Sequence, residues 1–205
     1  RIFLTELEAR HAKPEARIMG FLNRRKVAAG FKLLQGRLDA ADPKKFLSDP
    51  LNILRVFEEA LRTGYLLHPN MMRLLASNLH LIDDHLRDDP AAVQIFLSLL
   101  LDHGNPERPL RRMNELGVLS AFIPEFENIV AMMQFNVYHH YTVDEHIIQC
   151  VSCLAQIERG ELVEELPVVS GILKDGVNRR IIYVALLLHD IGKGRPEDHS
   201  IIGAQ

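Results

Sequence analysis

The sequence predicts an all-α protein that contains a helical bundle and, at most, one short β-hairpin. Three observations support this prediction. Apolar residues recur at helical spacing in successive segments, proline and glycine stand where those segments begin and end, and one short stretch lacks a helical period. That stretch runs from Gly30 to Leu38 and contains apolar residues and two glycines. We therefore expect a short strand or hairpin there.

The helices are predicted in order from their start and stop signals. Residues 1–20 have apolar positions typical of a helix, with a break near Pro14. Asp49 and Pro50 predict the next helix start, as N-cap and first helical residue, and Gly64 predicts its end. Three further helices are predicted at Pro69–Leu86, Pro90–Leu101 and Leu110–Leu116, the last ended by Gly117.

Composition excludes several classes of protein. The chain has 205 residues, 47% of them hydrophobic, and no apolar run of the 18 or more residues that a membrane span needs. A net charge of -3 argues against a dedicated nucleic-acid binder, which is usually basic. A basic cluster within residues 17–45 favours a solvated face, and contact with a neighbouring domain or a nucleotide is the alternative.

The cysteines and the termini indicate the compartment and the extent of the chain. Cys150 and Cys153 form a lone C-x-x-C in an apolar helical stretch, with neither a second pair nor a βαβ context. We interpret them as core thiols of a cytoplasmic protein. The chain begins without a signal-peptide pattern and stops without an ending signal, so we expect it to be part of a longer protein.

The most informative stretch is the apolar run 181–188, followed directly by His189 and Asp190. A helix that is apolar on every side is buried on every side, so its last turn carries an imidazole and a carboxylate inward. We expect Gly192 to end this helix. An unpaired buried carboxylate is costly, and a divalent metal would compensate it with ligands of this type. The alternative is that the pair caps a core helix and its members satisfy each other.

A third candidate ligand, His146, lies upstream at the start of another predicted helix. Thr142 and Glu145 have the spacing of a capping box, which fixes the helix start and places His146 in the first turn. We interpret Glu145 chiefly as a cap. Asp144 is interpreted as a helix-start charge, with orientation of His146 as the alternative.

His146, the run H-D-I-G-K at 189–193 and a later His199 together resemble the HD superfamily of metal-dependent phosphohydrolases. The resemblance implies an all-helical fold in which His146, His189 and Asp190 hold a divalent metal, manganese or magnesium, with His199 as a further ligand. Lys193 lies just beyond the predicted helix end, where it would offset charge on the phosphoryl oxygens, so we expect it to be catalytic and Arg195 to line the substrate in a similar role. His139 belongs to the H-x-Y-T-V-D-E-H run and is expected to line the site without binding the metal. The usual last Asp ligand would lie beyond Gln205, so we expect this chain alone to bind metal weakly and to have little activity.

Several other segments resemble the bifunctional family that uridylylates and de-uridylylates the PII nitrogen-regulatory protein. They are D-P-L-N-I-L-R at 49–55, L-I-D-D-H-L-R-D-D at 81–89, L-R-R-M-N-E-L-G-V-L at 110–119, I-P-E-F at 123–126 and H-H-Y-T-V-D-E-H at 139–146. The resemblance implies that the HD part removes UMP from a PII tyrosine. The family's nucleotidyltransferase motifs and glutamine-sensing domains are absent here, so UTP and glutamine would act on other parts.

The resemblance also gives a domain division. Residues 1–50 are predicted to be the tail of a nucleotidyltransferase region with a linker, residues 51–135 a helical linker domain, and residues 136–205 an HD domain truncated at its carboxyl end. Two alternatives remain. One is the HD portion of a CCA-adding tRNA nucleotidyltransferase, which usually has Arg where this chain has Asn52. The other is a non-catalytic helical module that docks PII or transmits a signal.

Overall fold

The structure is a computed structural model that describes residues 26–133, 142–174 and 176–193. These residues fall into two compact units divided between Ile95 and Phe96, which we call the first unit and the second unit. The fold is mostly helical, as predicted, with one small sheet in the described part of the chain. The helix predicted in residues 1–20 lies outside the described residues, and the predicted three-part domain division stays a prediction.

The first unit begins with the predicted hairpin. Strands β1 (Phe31–Leu34) and β2 (Arg37–Ala40) pair antiparallel, with Leu33 opposite Leu38. The connecting residues Gln35 and Gly36 both have positive φ angles, of 51° and 74°. Such a two-residue turn matches the twist of the strands it joins, and glycine adopts it without strain. The hairpin is therefore confirmed, and it ends two residues later than predicted.

A series of helices follows the hairpin in the first unit. Helix α1 (Pro43–Leu47) was not predicted, and it begins because the Asp42 carboxylate accepts hydrogen bonds from the backbone N–H groups of Lys44 and Lys45. The further elements here are α2 (Asn52–Thr63), α3 (Pro69–Ala76), a 3₁₀ turn (Leu79–Leu81), α4 (Asp84–Asp88) and α5 (Pro90–Leu101), in which the division falls.

Two helix predictions in this unit are wrong in detail. Helix α2 starts at Asn52, two residues after the predicted start at Pro50, although the Asp49 carboxylate accepts from the N–H of Leu51 as an N-cap side chain does and also binds the guanidinium of Arg55. Gly64 ends α2 as predicted, with φ 81°. The single helix predicted at Pro69–Leu86 is divided into three pieces, and the last piece, α4, begins where the Asp83 carboxylate accepts from the N–H of Leu86.

The second unit continues the helical pattern. Its elements are α6 (Glu107–Glu115), α7 (Val118–Phe122), a 3₁₀ segment (Pro124–Ile129), α8 (Val143–Glu158), α9 (Pro167–Lys174) and α10 (Arg179–Leu188). Gly117, with φ 76°, separates α6 from the unpredicted α7. The core contains Leu110, Met113, Phe126, Ile147, Val151 and Tyr183, and α8 packs against both α6 and α10.

Helix α10 corrects two expectations drawn from its apolar sequence. Ile181 is 65% exposed, whereas Tyr183 and Leu187 are buried, so the helix is buried on one face only. It ends at Leu188 with His189 as C-cap, so Gly192 does not end it. No helix in the described ranges is long and apolar enough to cross a membrane.

Candidate metal centre

Helix α8 carries His146 in its first turn. The backbone N–H of His146 donates to the carbonyl of Thr142 at 2.8 Å, which makes Thr142 the N-cap residue, as predicted. Among the described residues, however, the Thr142 side chain makes no capping hydrogen bond. Glu145 forms an ion pair with Arg111 of α6. The predicted capping box is therefore wrong, because Glu145 is used between helices and not within its own.

Helix α10 delivers His189 and Asp190 at its carboxyl end. Its start is fixed by Asn178, whose side-chain oxygen accepts from the N–H of Ile181 at 3.2 Å. Tyr183 fixes the helix against α8, since its hydroxyl donates to Glu158 at 2.8 Å and its ring is 1% exposed. Arg179 binds the same carboxylate at 2.6 and 2.9 Å. This contact holds the pKa of Glu158 below its ordinary value, with the Tyr183 hydroxyl assisting.

The structure brings His146, His189 and Asp190 together. One potential ligand atom from each lies within 4.8 Å of the other two. The Asp190 Oδ2 atom is 3.4 Å from His189 Nε2 and 3.9 Å from His146 Nε2. The two imidazole rings meet edge to face, with centroids 5.6 Å apart. Two helices distant in sequence thus contribute nitrogen and oxygen atoms to one point.

Hydrogen bonding determines which nitrogen of His189 faces the cluster. Its Nδ1 lies 2.8 Å from the carbonyl oxygen of Leu186. A carbonyl only accepts, so Nδ1 carries the proton and, in the neutral ring, Nε2 presents a lone pair. That lone pair is directed to the side where Asp190 Oδ2 lies. Metal-ligating histidines are commonly oriented through their other nitrogen in this way.

Burial differs among the three side chains. The Asp190 side chain is 10% exposed, whereas those of His146 and His189 are 38% and 36% exposed. The carboxylate therefore forms the floor of the cluster, and the imidazoles form a rim that solvent reaches. Lys193 lies at the same floor, with Nζ 2.7 Å from Asp190 Oδ2 and a side chain 17% exposed.

The donor set fits a divalent cation. Imidazole nitrogen and carboxylate oxygen are ordinary ligands of Zn²⁺, Mn²⁺ and related ions. Two donors bound to one such ion at about 2.0–2.2 Å lie at most about 4.4 Å apart. The separations of 3.4 and 3.9 Å around Asp190 Oδ2 meet that condition. The buried carboxylate also supplies the negative charge that a cation would neutralise.

Cys150 lies beside the cluster, one helical turn after His146. Its Sγ atom is 3.6 Å from His146 Nε2 and 3.9 Å from Nδ1. Burial raises the pKa of this thiol, and the nearby Cys153 and Asp190 add to the effect. Both cysteines are free thiols, as predicted. They are half-buried, so their predicted place in the core is confirmed only in part.

Residues of α6 that no sequence pattern indicates hold the start of α8 in place. Asp144 is 4% exposed and accepts hydrogen bonds from the Asn114 side chain at 2.7 Å and from the N–H of Ala131 at 3.2 Å. It is thus a buried anchor and more than a helix-start charge. Arg111 and Asn114 lie 30 or more residues before their partners, and no local pattern connects such positions.

Three predicted site residues lie outside the described residues. They are His139, Arg195 and His199. Their roles stay predictions drawn from the motif resemblance.

Comparison with protein families agrees with the fold and the cluster. Residues 143–205 match the family model described as HD domain. Residues 31–122 match the model described as uridylyltransferase GlnD third domain. Residues 31–122 are therefore similar to a uridylyltransferase GlnD third domain and residues 143–205 to an HD domain, and the second match contains His146, His189 and Asp190.

Two relatives are similar over the whole chain. The bifunctional uridylyltransferase/uridylyl-removing enzyme of Cereibacter sphaeroides is 69% identical over 206 residues, which cover 100% of this chain and 22% of the relative. The enzyme of the same name from Ruegeria pomeroyi is 68% identical over 206 residues, covering 100% of this chain and 23% of the relative. The chain spans about a fifth of the length of these curated relatives.

Proposed function

We propose that the second unit is the hydrolase part of a bifunctional uridylyltransferase/uridylyl-removing enzyme. In this proposal it hydrolyses the phosphodiester that joins UMP to a tyrosine hydroxyl of the PII protein. The supporting observation is the convergence of His146, His189 and Asp190 within 4.8 Å, in a segment that matches the HD domain. The relatives' names supply the uridylyl-removing activity.

His146, His189 and Asp190 would hold a divalent cation, manganese or magnesium by family resemblance. Such an ion supplies positive charge for a phosphoryl oxygen and lowers the pKa of a coordinated water. The chain's own contribution is to present a lone pair from His189, held by the Leu186 carbonyl, beside a carboxylate whose burial limits competition from water. The exposed rim of imidazoles leaves the substrate an approach.

Lys193 is proposed as the catalytic cation of the chain itself. Its ammonium group has three N–H donors, and one of them is directed at Asp190 Oδ2 at 2.7 Å. The other donors can bind phosphoryl oxygens and offset the negative charge that develops there. Hydrolysis breaks the bond between phosphorus and the tyrosine oxygen, adds water across it, and releases UMP and the free hydroxyl.

The remaining roles extend the same proposal. His199 is proposed as a further ligand, with His139 and Arg195 lining the bound nucleotide. Uridylylated PII is the proposed protein partner. UTP and glutamine are proposed to act on parts of the enzyme that this chain does not contain.

The test is release of UMP from uridylylated PII by the full-length protein carrying His189→Ala. The variant removes one member of the cluster, so we expect release to fall more than about 100-fold. The matched control is His85→Ala, which changes an exposed histidine of the first unit and should leave the rate unaltered. Unchanged release by His189→Ala would favour a non-catalytic module. Activity on terminal or cyclic RNA phosphates, without UMP release, would favour the tRNA nucleotidyltransferase alternative.

A further inference from the structure

Helix α6 presents one polar face to helix α8. Glu107, Arg111 and Asn114 are spaced by four and three residues, so they lie on the same side of α6. The Glu107 carboxylate accepts from the Ser152 hydroxyl at 2.6 Å, Arg111 pairs with Glu145, and Asn114 donates to Asp144 at 2.7 Å. We call these three contacts the α6 clamp.

The α6 clamp brackets His146 along α8. Asp144 and Glu145 directly precede His146, and Ser152 lies six residues after it. Contacts on both sides of a residue fix the rotation of a helix about its axis, and that rotation sets the direction of each side chain. The direction of the His146 imidazole toward Asp190 therefore depends on the clamp.

The start of α8 relies on contacts from outside the helix, one of which joins the backbone N–H of Val143 to the carbonyl of Met132 at 3.0 Å. The first N–H groups of a helix lack partners within the helix, and helix ends fray. Among the described residues, the Thr142 side chain makes no capping hydrogen bond that would counter fraying. The carboxylate of Asp144 instead binds α6 and the N–H of Ala131, and its 4% exposure shows that this anchor is shielded from water.

Arg111 is the central member of the clamp. One terminal nitrogen binds Glu145, while the other terminal nitrogen and Nε bind Glu107 at 2.9 and 3.3 Å. The Arg111 side chain is 27% exposed, and its partners Glu145 and Glu107 are 29% and 34% exposed. A planar guanidinium can bridge two carboxylates in this way, whereas a lysine provides a single point charge.

We infer that Arg111 and Asn114 are positioning residues for His146, acting through Glu145 and Asp144, and that the metal centre therefore depends on helix α6. This inference rests on the proposed function. Residues 107–115 fall within the segment that matches the GlnD third domain, whereas the three ligands fall within the HD match. The HD match alone, from residue 143, thus omits part of what holds its first ligand in place.

The test uses Mn²⁺ as probe and follows paramagnetic broadening of the imidazole NMR signals of His146 and His189 in the intact chain. This readout reports metal binding independently of activity and detects weak binding. For Arg111→Ala and Asn114→Ala we expect the Mn²⁺ concentration that produces half of the maximal broadening to rise about tenfold. That is the lower end of the range for substitutions of residues that orient metal ligands. Arg111→Lys should give an intermediate shift, because one ammonium cannot hold both carboxylates.

The matched control is Arg112→Ala, which removes the same charge from the same helix. Arg112 pairs with Glu115 within α6 at 2.8 Å, so its loss should change the Mn²⁺ requirement less than twofold. Glu145→Gln should weaken binding in the same direction as Arg111→Ala, and the double variant should bind no more weakly than Arg111→Ala alone, because both substitutions disrupt the contact between Arg111 and Glu145. Should Arg111→Ala fail to fold, Arg111→Lys and Glu145→Gln carry the same test.

Urea unfolding of each variant separates positioning from general stability. Wild-type Mn²⁺ binding in Arg111→Ala and Asn114→Ala would overturn the inference. The inference would also be overturned if Arg111→Ala and Arg112→Ala weakened Mn²⁺ binding equally, each in proportion to the unfolding free energy that it loses. His146→Ala tests the proposed function itself. If that variant binds Mn²⁺ as the wild type does, the metal-site proposal fails whatever the clamp variants show.

Discussion

Both units contain buried carboxylates, and one from each unit shows two opposite uses of such a group. Glu59 of the first unit and Asp190 of the second are 5% and 7% exposed. Glu59 accepts from the N–H of Ala28 at 2.8 Å and from Arg62 at 2.7 and 2.9 Å. Asp190 meets the Lys193 ammonium and two imidazole edges. Equal burial therefore does not make a carboxylate part of a metal site, because the groups around it decide what it can bind.

The histidines of the two units differ in the same manner. His68 is 7% exposed and N-caps α3, with Nδ1 accepting from the N–H of Asn70 at 3.1 Å. Burial lowers its pKa, which suits a neutral ring used as an acceptor. In His189 the same nitrogen donates to a carbonyl, so Nε2 faces a carboxylate. The His68 ring thus caps its own helix, whereas the His189 ring has a lone pair on Nε2 that a metal ion can use.

The largest expected effect is that of Asp190→Asn, which would remove the difference between the two carboxylates. The amide keeps the shape and loses the charge that a cation needs, so Mn²⁺ binding should weaken more than about 100-fold. Calorimetric titration of wild type and variant would measure the change. Binding within threefold of wild type would show that Asp190 is no more a ligand than Glu59 is.

Glu59→Gln tests whether the buried carboxylate of the first unit serves stability alone. The variant replaces charge-assisted hydrogen bonds with neutral ones and directs an amide NH₂ group at donors, so we expect a loss of about 2 kcal/mol of unfolding free energy. Mn²⁺ binding should stay at the wild-type level. Urea denaturation and the same titration measure both quantities, and weakened metal binding at unchanged stability would contradict the structural role of Glu59.

The smallest expected effect is the contribution of Glu158 to the dependence of unfolding free energy on pH. Its pKa is lowered by Arg179 and then by the Tyr183 hydroxyl, from an ordinary value of 4.5. The folded state therefore binds its proton less readily than the unfolded state. The stabilisation is fully present above about pH 4.5 and is lost as the pH falls through the lowered pKa.

Glu158→Gln removes this dependence. The variant should be less stable than wild type near pH 6.5, by less than about 1 kcal/mol because Arg179 is half exposed, and the difference should shrink toward pH 3. Urea unfolding at several pH values measures the trend. A difference that grows on acidification would show that Glu158 is not ionised in the folded state.

Local sequence was sufficient for the features that depend on nearby residues. The hairpin followed from the apolar residues and two glycines of 30–38, and Gly36 adopts the positive φ angle of 74° that the turn requires. The ends of α2 and α6 followed from Gly64 and Gly117, which have φ angles of 81° and 76°. The helix over Pro69–Leu86 failed, because its apolar period continues through Asp83, whose side chain starts a new helix.

The mostly helical fold, the hairpin and the residues of the cluster could be predicted from residue patterns, since His146, His189 and Asp190 stand in a recognisable motif. Three features emerged only when the helices packed: these side chains meet, Glu145 pairs with Arg111 instead of capping its own helix, and α10 is buried on one face. The physical reason is the distance along the chain over which each kind of interaction acts. Backbone preference and periodicity act over a few residues, whereas the α6 clamp joins positions separated by 30 to 45 residues and arises only when helices pack.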